Sequence, residues 1–169
     1  MAAPLFPANA HRHDPYRTFK FQVLIDGQSV AGLKKMGALK KTTETVKWRS
    51  AGDPSHERVM PGGTSYEAVI LEQGLTHDPV FETWANLVNN IEGDAGISLR
   101  NYRKDIVINV LNLQGQVAIS YKLYRAWVSE FQALPELDAG SMNTVGIQTL
   151  TLQHEGWERD TSVTEPTES

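Results

Sequence analysis

The side chains best suited to acid–base or metal chemistry in this sequence are its five histidines, at positions 11, 13, 56, 77 and 154. A metal or general-base site needs several such groups at ligand or catalytic spacing. Only His11-Arg12-His13-Asp14 clusters them, and no further His or acidic pair with ligand spacing follows, so it reads as part of a solvated arm. The chain has no cysteine, which removes disulfides, thiolate zinc sites and cysteine nucleophiles together. Gly62-Gly63 lacks the Lys-Ser/Thr pair and helix start of a phosphate cradle, and no Gly-x-Ser-x-Gly, His-Glu-x-x-His or Walker-type pattern occurs. Arg100, Arg103 and Lys104 read as a solvated basic cluster, because a net charge of −4 gives no support to a general nucleic-acid surface. Trp48, Trp127 and Trp157 read as core or interface groups rather than ligand-stacking ones. These residues predict no catalytic site, no cofactor and no metal, and so no enzyme.

The elements that must carry the chain are mostly strands. A length of 169 residues fits one domain, divided here into an arm over 1–15, a β domain over 16–159 and a flexible acidic tail over 160–169. The arm holds three prolines and little periodicity, and the tail lacks apolar periodicity. Nothing at the N-terminus resembles a signal peptide, and no stretch approaches the ~18 apolar residues of a membrane span. A soluble chain made in a cytoplasm, with no membrane insertion, is expected.

Within the domain, Phe19, Phe21, Val23 and Ile25 alternate with polar residues as a half-buried strand. Asp26-Gly27 predicts a tight turn, and residues 28–33 a returning strand. Thr42–Arg49 is rich in β-branched residues but has only a thin apolar stripe, so one side must face water. Ser50–Gly63, with its prolines and glycines, predicts a long loop; Thr64–Gln73 follows as a strand. Asp78 as N-cap and Pro79 in the first turn open one amphipathic helix over 78–91, ended by Gly93. Val80, Phe81, Trp84, Leu87, Val88 and Ile91 form its apolar stripe. Asp105–Leu113, Val117–Leu123 and Val145–His154 complete the strands. In the second of these, Val117, Ile119, Tyr121 and Leu123 are expected to face the core. The fold class is mostly β: about seven strands in two packed antiparallel sheets or a flattened barrel, plus that helix.

Four patches occur in order along the chain: DPYRTFKFQVLIDG, RVMPGGTSY, RAWVSEF with PELDAGSMN, and IQTLTLQHEGWER. Together they resemble the tail-tube (inner tube) proteins of contractile bacteriophage tails and related contractile injection systems. The resemblance runs from Asp14 to Arg159. It implies a tail-tube fold and a structural subunit that forms stacked hexameric rings around a lumen, through which DNA or an effector protein passes as cargo. It also implies a contractile sheath protein and baseplate or tube-initiator proteins as partners, in a phage tail or injection particle. Two acids of the family's last strand are replaced here by Gln148 and Thr151, and Val128 stands at a usual proline position. The charge of that strand thus differs from DNA-conducting relatives. A tube-initiator or baseplate adaptor of the same family is one alternative; a small-ligand-binding β-barrel is another.

Two strand faces are unusually rich in hydroxyl and amide groups: Thr43, Thr45 and Lys47 on one, Thr149, Thr151 and Gln153 on the other. Outer surfaces usually carry more charge, so these six residues are expected to face the lumen, with Glu44 nearby. The loop over 50–63 has few apolar anchors. It is expected to dock on a neighbouring subunit through Asp53, Glu57, Arg58 and Met60.

Overall fold

Asp26-Gly27 makes the turn its sequence predicts, joining β1 (Phe21–Ile25) to β2 (Gln28–Ser29). Both turn residues have positive φ, 53° and 78°, the primed geometry that matches strand twist. Val23 and Ile25 are buried, whereas Phe19 stays exposed, so the apolar stripe begins later than its alternation suggests. The returning strand is only two residues long. The computed structural model describes residues 6–52, 55–89, 91 and 100–169.

After β2 come β3 (Leu33–Met36), β4 (Lys41–Trp48), β5 (Arg58–Tyr66), β6 (Val69–Gly74) and α1 (Val80–Asn86). The chain then forms β7 (Lys104–Leu111), β8 (Val117–Gln132), β9 (Ile147–Gln153) and β10 (Gly156–Arg159). Neighbours pair antiparallel along the path β2-β1-β7-β8-β9-β6-β3, with β10 also on β8, while among the described residues β4 and β5 pair only with each other. The path has two open ends, β2 and β3, so the fold is two antiparallel sheet layers rather than a closed barrel. The single strand expected over 64–73 is two strands, broken at Glu67-Ala68. The last strand likewise divides, with His154-Glu155 linking β9 to β10.

β8 joins the layers. Its first half pairs with β7 and β10 and its second half with β9. Between them Arg125 has a φ of 51°, and its N–H donates to Asp105 Oδ1 at 3.0 Å, beside a shift in register against β7. Such an irregularity bends a strand. Val23, Ile25, Ile106, Ile108 and Leu123 from one layer meet Val69, Leu71, Leu150 and Leu152 from the other in one core cluster. Each fully buried Leu contributes about 1.5–3 kcal/mol. Because both apolar stripes enter the same core, the opposite faces of the two layers point away from each other.

α1 closes this core with Phe81 and Trp84, and the Trp84 Nε1–H donates to Tyr102 O at 2.7 Å. The N-cap is Pro79 rather than Asp78, and Asp78, one residue before it, accepts the Val80 N–H through Oδ1 at 3.2 Å. The helix is seven residues long, shorter than its stripe predicts. Ile91 is fully exposed, and Gly93, the expected stop, lies outside the described residues.

The tail is held, where its composition predicts fraying. Asn9 is buried and its Nδ2 donates to Glu165 Oε1 at 2.7 Å and to Pro166 O at 2.9 Å. Its Oδ1 accepts the Glu168 N–H at 2.7 Å. Arg12 forms a two-pronged pair with Glu168, at 2.6 and 2.7 Å, and lies over the Phe6 and Tyr16 rings. Burial, then the Glu165 carboxylate, pushes the Tyr16 phenol above its ordinary value. A polar tail can order itself when its charges meet fixed partners. Tyr121 and Leu123 meet the core as expected, and the clasp side of β8 is covered as well: Ala118 and Ser120 are buried, and Phe6, Tyr16, Ala118, Ile119 and Val163 line a common cleft.

Candidate functional site

Three surfaces stand exposed among the described residues. The first is the β4–β5 hairpin. Its residues are exposed on both faces apart from Tyr66 at its base, and a lone two-stranded hairpin is marginally stable in water. Residues 58–63, expected in a loop, are in β5. Proline and glycine are tolerated there because each strand of a two-stranded ribbon has a free edge. Pro61 sits opposite Thr45 beside a register shift, and a Cβ on Gly62 would lie 3.1 Å from the Val46 side chain. Arg58 and Met60 are thus strand residues, Glu57 adjoins the strand, and Asp53 lies outside the described residues. Register places Val46 beside Met60 and Trp48 beside Arg58, whose guanidinium lies 5.3 Å from the indole centre. Thr43, Thr45 and Lys47 occupy the other face, with Thr43 Oγ1 3.0 Å from Thr64 Oγ1.

The hairpin continues the β3–β6 ribbon beyond the sheet. The Gly37 N–H donates to Ile70 O at 2.7 Å and the Glu67 N–H to Lys40 O at 3.2 Å, just before Lys41 pairs with Tyr66. Its base is fixed by aromatic packing. Tyr66 lies 5.9 Å from His154 and 6.2 Å from Trp157, and the Lys41 ammonium is 5.8 Å from the Trp157 ring centre. His154 is hydrogen-bonded at a strand end, as its sequence position suggests: Nε2–H donates to Glu67 O at 2.8 Å.

The second surface is the outer face of the β6–β9–β8 layer. Thr149 stands between Glu72 and Gln132, and Thr151 between Ile70 and Glu130. The Ser129 hydroxyl donates to Thr151 O at 3.3 Å and the Gln153 amide to Ser129 Oγ at 3.4 Å. Sequence reasoning found Thr149, Thr151 and Gln153 but missed Glu72, Glu130 and Gln132, since only strand register makes them neighbours. Thr43, Thr45 and Lys47 lie on the separate hairpin and are not paired with this face in one chain.

The third surface is the connection from Ala133 to Gly146. It curls around a cleft of about 700 Å³ lined by Pro135, Leu137, Thr144 and Val145 among others. Leu134, Leu137, Met142 and Val145 are exposed, an unusual density of apolar side chains on one loop. Asp138 fixes its turn, with Oδ1 accepting the Gly140 N–H at 2.9 Å. The histidines stay dispersed over the arm, the connection between β4 and β5, the segment before α1 and the link between β9 and β10. Among the described residues no three His, Asp or Glu side chains converge on a common point.

Residues 17–158 match the family model described as T4-like virus tail tube protein gp19. The chain belongs to this tail tube family. The same fold recurs in a baseplate structure of the anti-feeding prophage, at 21% identity and a TM-score of 0.72 over 88% of this chain and 97% of that one. A chain of the sheath-tube complex of the extracellular contractile injection system PVC gives 20% identity and a TM-score of 0.70, covering 86% and 91%. Hcp1 from Flavobacterium johnsoniae is more distant, at 15% identity and a TM-score of 0.52 over 83% and 94%. No curated protein sequence matches the chain. The tail tube match ends where the clasp begins: Asn9 and Arg12, with Glu165 and Glu168, all lie outside it.

Proposed function

We propose that the protein is the repeating structural subunit of the inner tube of a contractile tail or injection system, assembling into stacked hexameric rings around a lumen. The observation that carries this reading is the β4–β5 hairpin, exposed on both faces and bearing Val46, Trp48, Val59 and Met60. Family membership adds the architecture, and the similar anti-feeding prophage baseplate was solved with six-fold symmetrisation. A sheath protein and baseplate or initiator proteins are its partners, and DNA or an effector protein is its cargo. The subunit does this without catalysis.

The outer face of β6–β9–β8 lines the bore, with Thr149, Thr151 and Gln153 central and Glu72 and Glu130 supplying acidic charge. Thr43, Thr45 and Lys47 extend that lining along the hairpin. Hydroxyl and amide groups stay hydrated and hold a passing polymer weakly, and acids repel a polyanion held against the wall. The chain's lack of cysteine permits a direct test. Negative-stain microscopy of the purified chain is expected to show rings or rods, with interfaces of about 2,000 Å² or more. Thr45→Cys and Thr151→Cys rods are expected to react with a small thiol reagent and resist one too bulky to enter. Equal labelling by both reagents would place these residues outside, and a monomer at high concentration, with sheath and baseplate proteins supplied, would end the tube reading.

A further inference from the structure

We infer that the N-terminal arm is a binding site for an acidic Glu-x-x-Glu segment, and that in an assembly each arm takes the tail of a neighbouring copy. The ligand class is visible because the chain's own tail fills the site. Asn9, 1% exposed, commits its whole side chain to the tail: Nδ2 donates to Glu165 Oε1 and Pro166 O, and Oδ1 accepts the Glu168 N–H. The Ala8 N–H donates to the other oxygen of the same carboxylate, Glu165 Oε2, at 2.9 Å. Three residues on, the Glu168 carboxylate meets Arg12, whose guanidinium is held over the Phe6 and Tyr16 rings at 5.1 and 4.3 Å. A few arm groups thus read two carboxylates three residues apart, together with one main-chain carbonyl and one main-chain N–H. Charge-assisted bonds of this kind favour an acidic segment over a neutral one.

Nothing in these bonds requires arm and tail to belong to one chain. They join segments more than 150 residues apart, and neither segment contributes to the core cluster. Both lie outside residues 17–158, which match the tail tube family. The tail leaves the sheet where the Asp160 N–H donates to Ser120 O at 2.8 Å. It then coils in a turn: the Val163 N–H donates to Asp160 O at 3.3 Å and the Ser162 N–H to Asp160 Oδ1 at 3.0 Å. Opened, the five steps from Asp160 to Glu165 span about 17 Å, slack that lets the tail reach sideways. Exchange of identical segments keeps every bond and joins copies at low cost. Copies held side by side also raise the effective concentration of one another's tails. The exchange rests on the tube reading, whereas the binding site does not.

The test begins with the full chain carrying Glu165→Lys and Glu168→Lys, which vacates the arm without shortening the chain; circular dichroism confirms that it folds. A fluorescently labelled peptide of residues 160–169 is expected to bind this variant, read by anisotropy, and to bind at least tenfold more weakly once Asn9→Ala is added. No binding, or binding that Asn9→Ala leaves unchanged, would overturn the site. The chain has no cysteine, so cross-linking reads the exchange. Chains with Ala8→Cys and chains with Thr167→Cys, both exposed positions, are mixed, assembled and treated with a short bismaleimide. Cross-linked pairs are expected on a denaturing gel, and are expected to disappear when Asn9→Ala accompanies Ala8→Cys. Assembled chains that give no cross-link would overturn the exchange, as would cross-links that persist with Asn9→Ala. Peptide binding is read on the unassembled chain. Failure of the wild-type chain to form rods would therefore overturn the tube reading and the exchange with it, while the binding site is judged by its own result.

Discussion

Gln148→Leu tests whether the amide pair on β6 and β9 ties these strands to the link between β2 and β3. Gln73 and Gln148 are both buried. Gln148 Nε2–H donates to Gln73 Oε1, and Gln73 Nε2–H passes the chain of bonds on to Ala31 O at 2.6 Å. Leucine at 148 strands the fully buried Gln73 Oε1, at about 1–3 kcal/mol, and its added apolar burial offsets roughly 1 kcal/mol of this. A net loss of up to about 2 kcal/mol lowers Tm by up to about 8 °C for a chain of this size. Replacing Gln73 with Leu as well removes the stranded acceptor and leaves only the carbonyl of Ala31, an exposed residue that water can serve. The double variant is therefore expected to lose about 1 kcal/mol less than the summed single losses. Denaturant unfolding followed by circular dichroism, at concentrations too low for assembly, measures all four corners of the cycle. A Gln148→Leu midpoint at or above wild type would refute the argument, as would additive single effects.

Two further changes probe the hairpin base and the clasp. Gly156 has a φ of 144°, and a Cβ there would lie 3.2 Å from the Tyr66 ring. Gly156→Ala should cost about 1–3 kcal/mol and loosen the His154–Glu67 bond, read as a lower Tm with faster hydrogen exchange in β5; an unchanged Tm contradicts this. Asn9→Ala removes the Asn9 side-chain bonds to Glu165, Pro166 and Glu168, a loss of about 1–3 kcal/mol. Backbone amides over 163–169 should then exchange at least tenfold faster while those of β7 and β8 keep their rates. Unchanged tail protection would mean that Arg12 and Glu168 hold the clasp without Asn9.

What the sequence determined by itself is whatever depends on neighbours along the chain. Period-two alternation marked β1 and β9, Asp26-Gly27 marked its turn, Asp78-Pro79 marked the helix start, and four motifs in order marked the tail tube family. Each rests on local backbone preference or on residue order, so no knowledge of distant contacts was needed. The tertiary structure decided what depends on partners. Pro61 and the Gly62-Gly63 pair read as loop, yet β4 draws them into a ribbon with a register shift. Val117, Ile119 and Tyr121 were expected to face the core and Ala118 and Ser120 to face out, but the arm and tail cover the second set too. The tail's acids signalled fraying because their partners, Asn9 and Arg12, stand more than 150 residues away. Glu72 and Glu130 join the polar face only through pairing with β9. Periodicity reports how a strand alternates. What lies over each face is set by chain segments remote in sequence, and only the folded molecule brings those together.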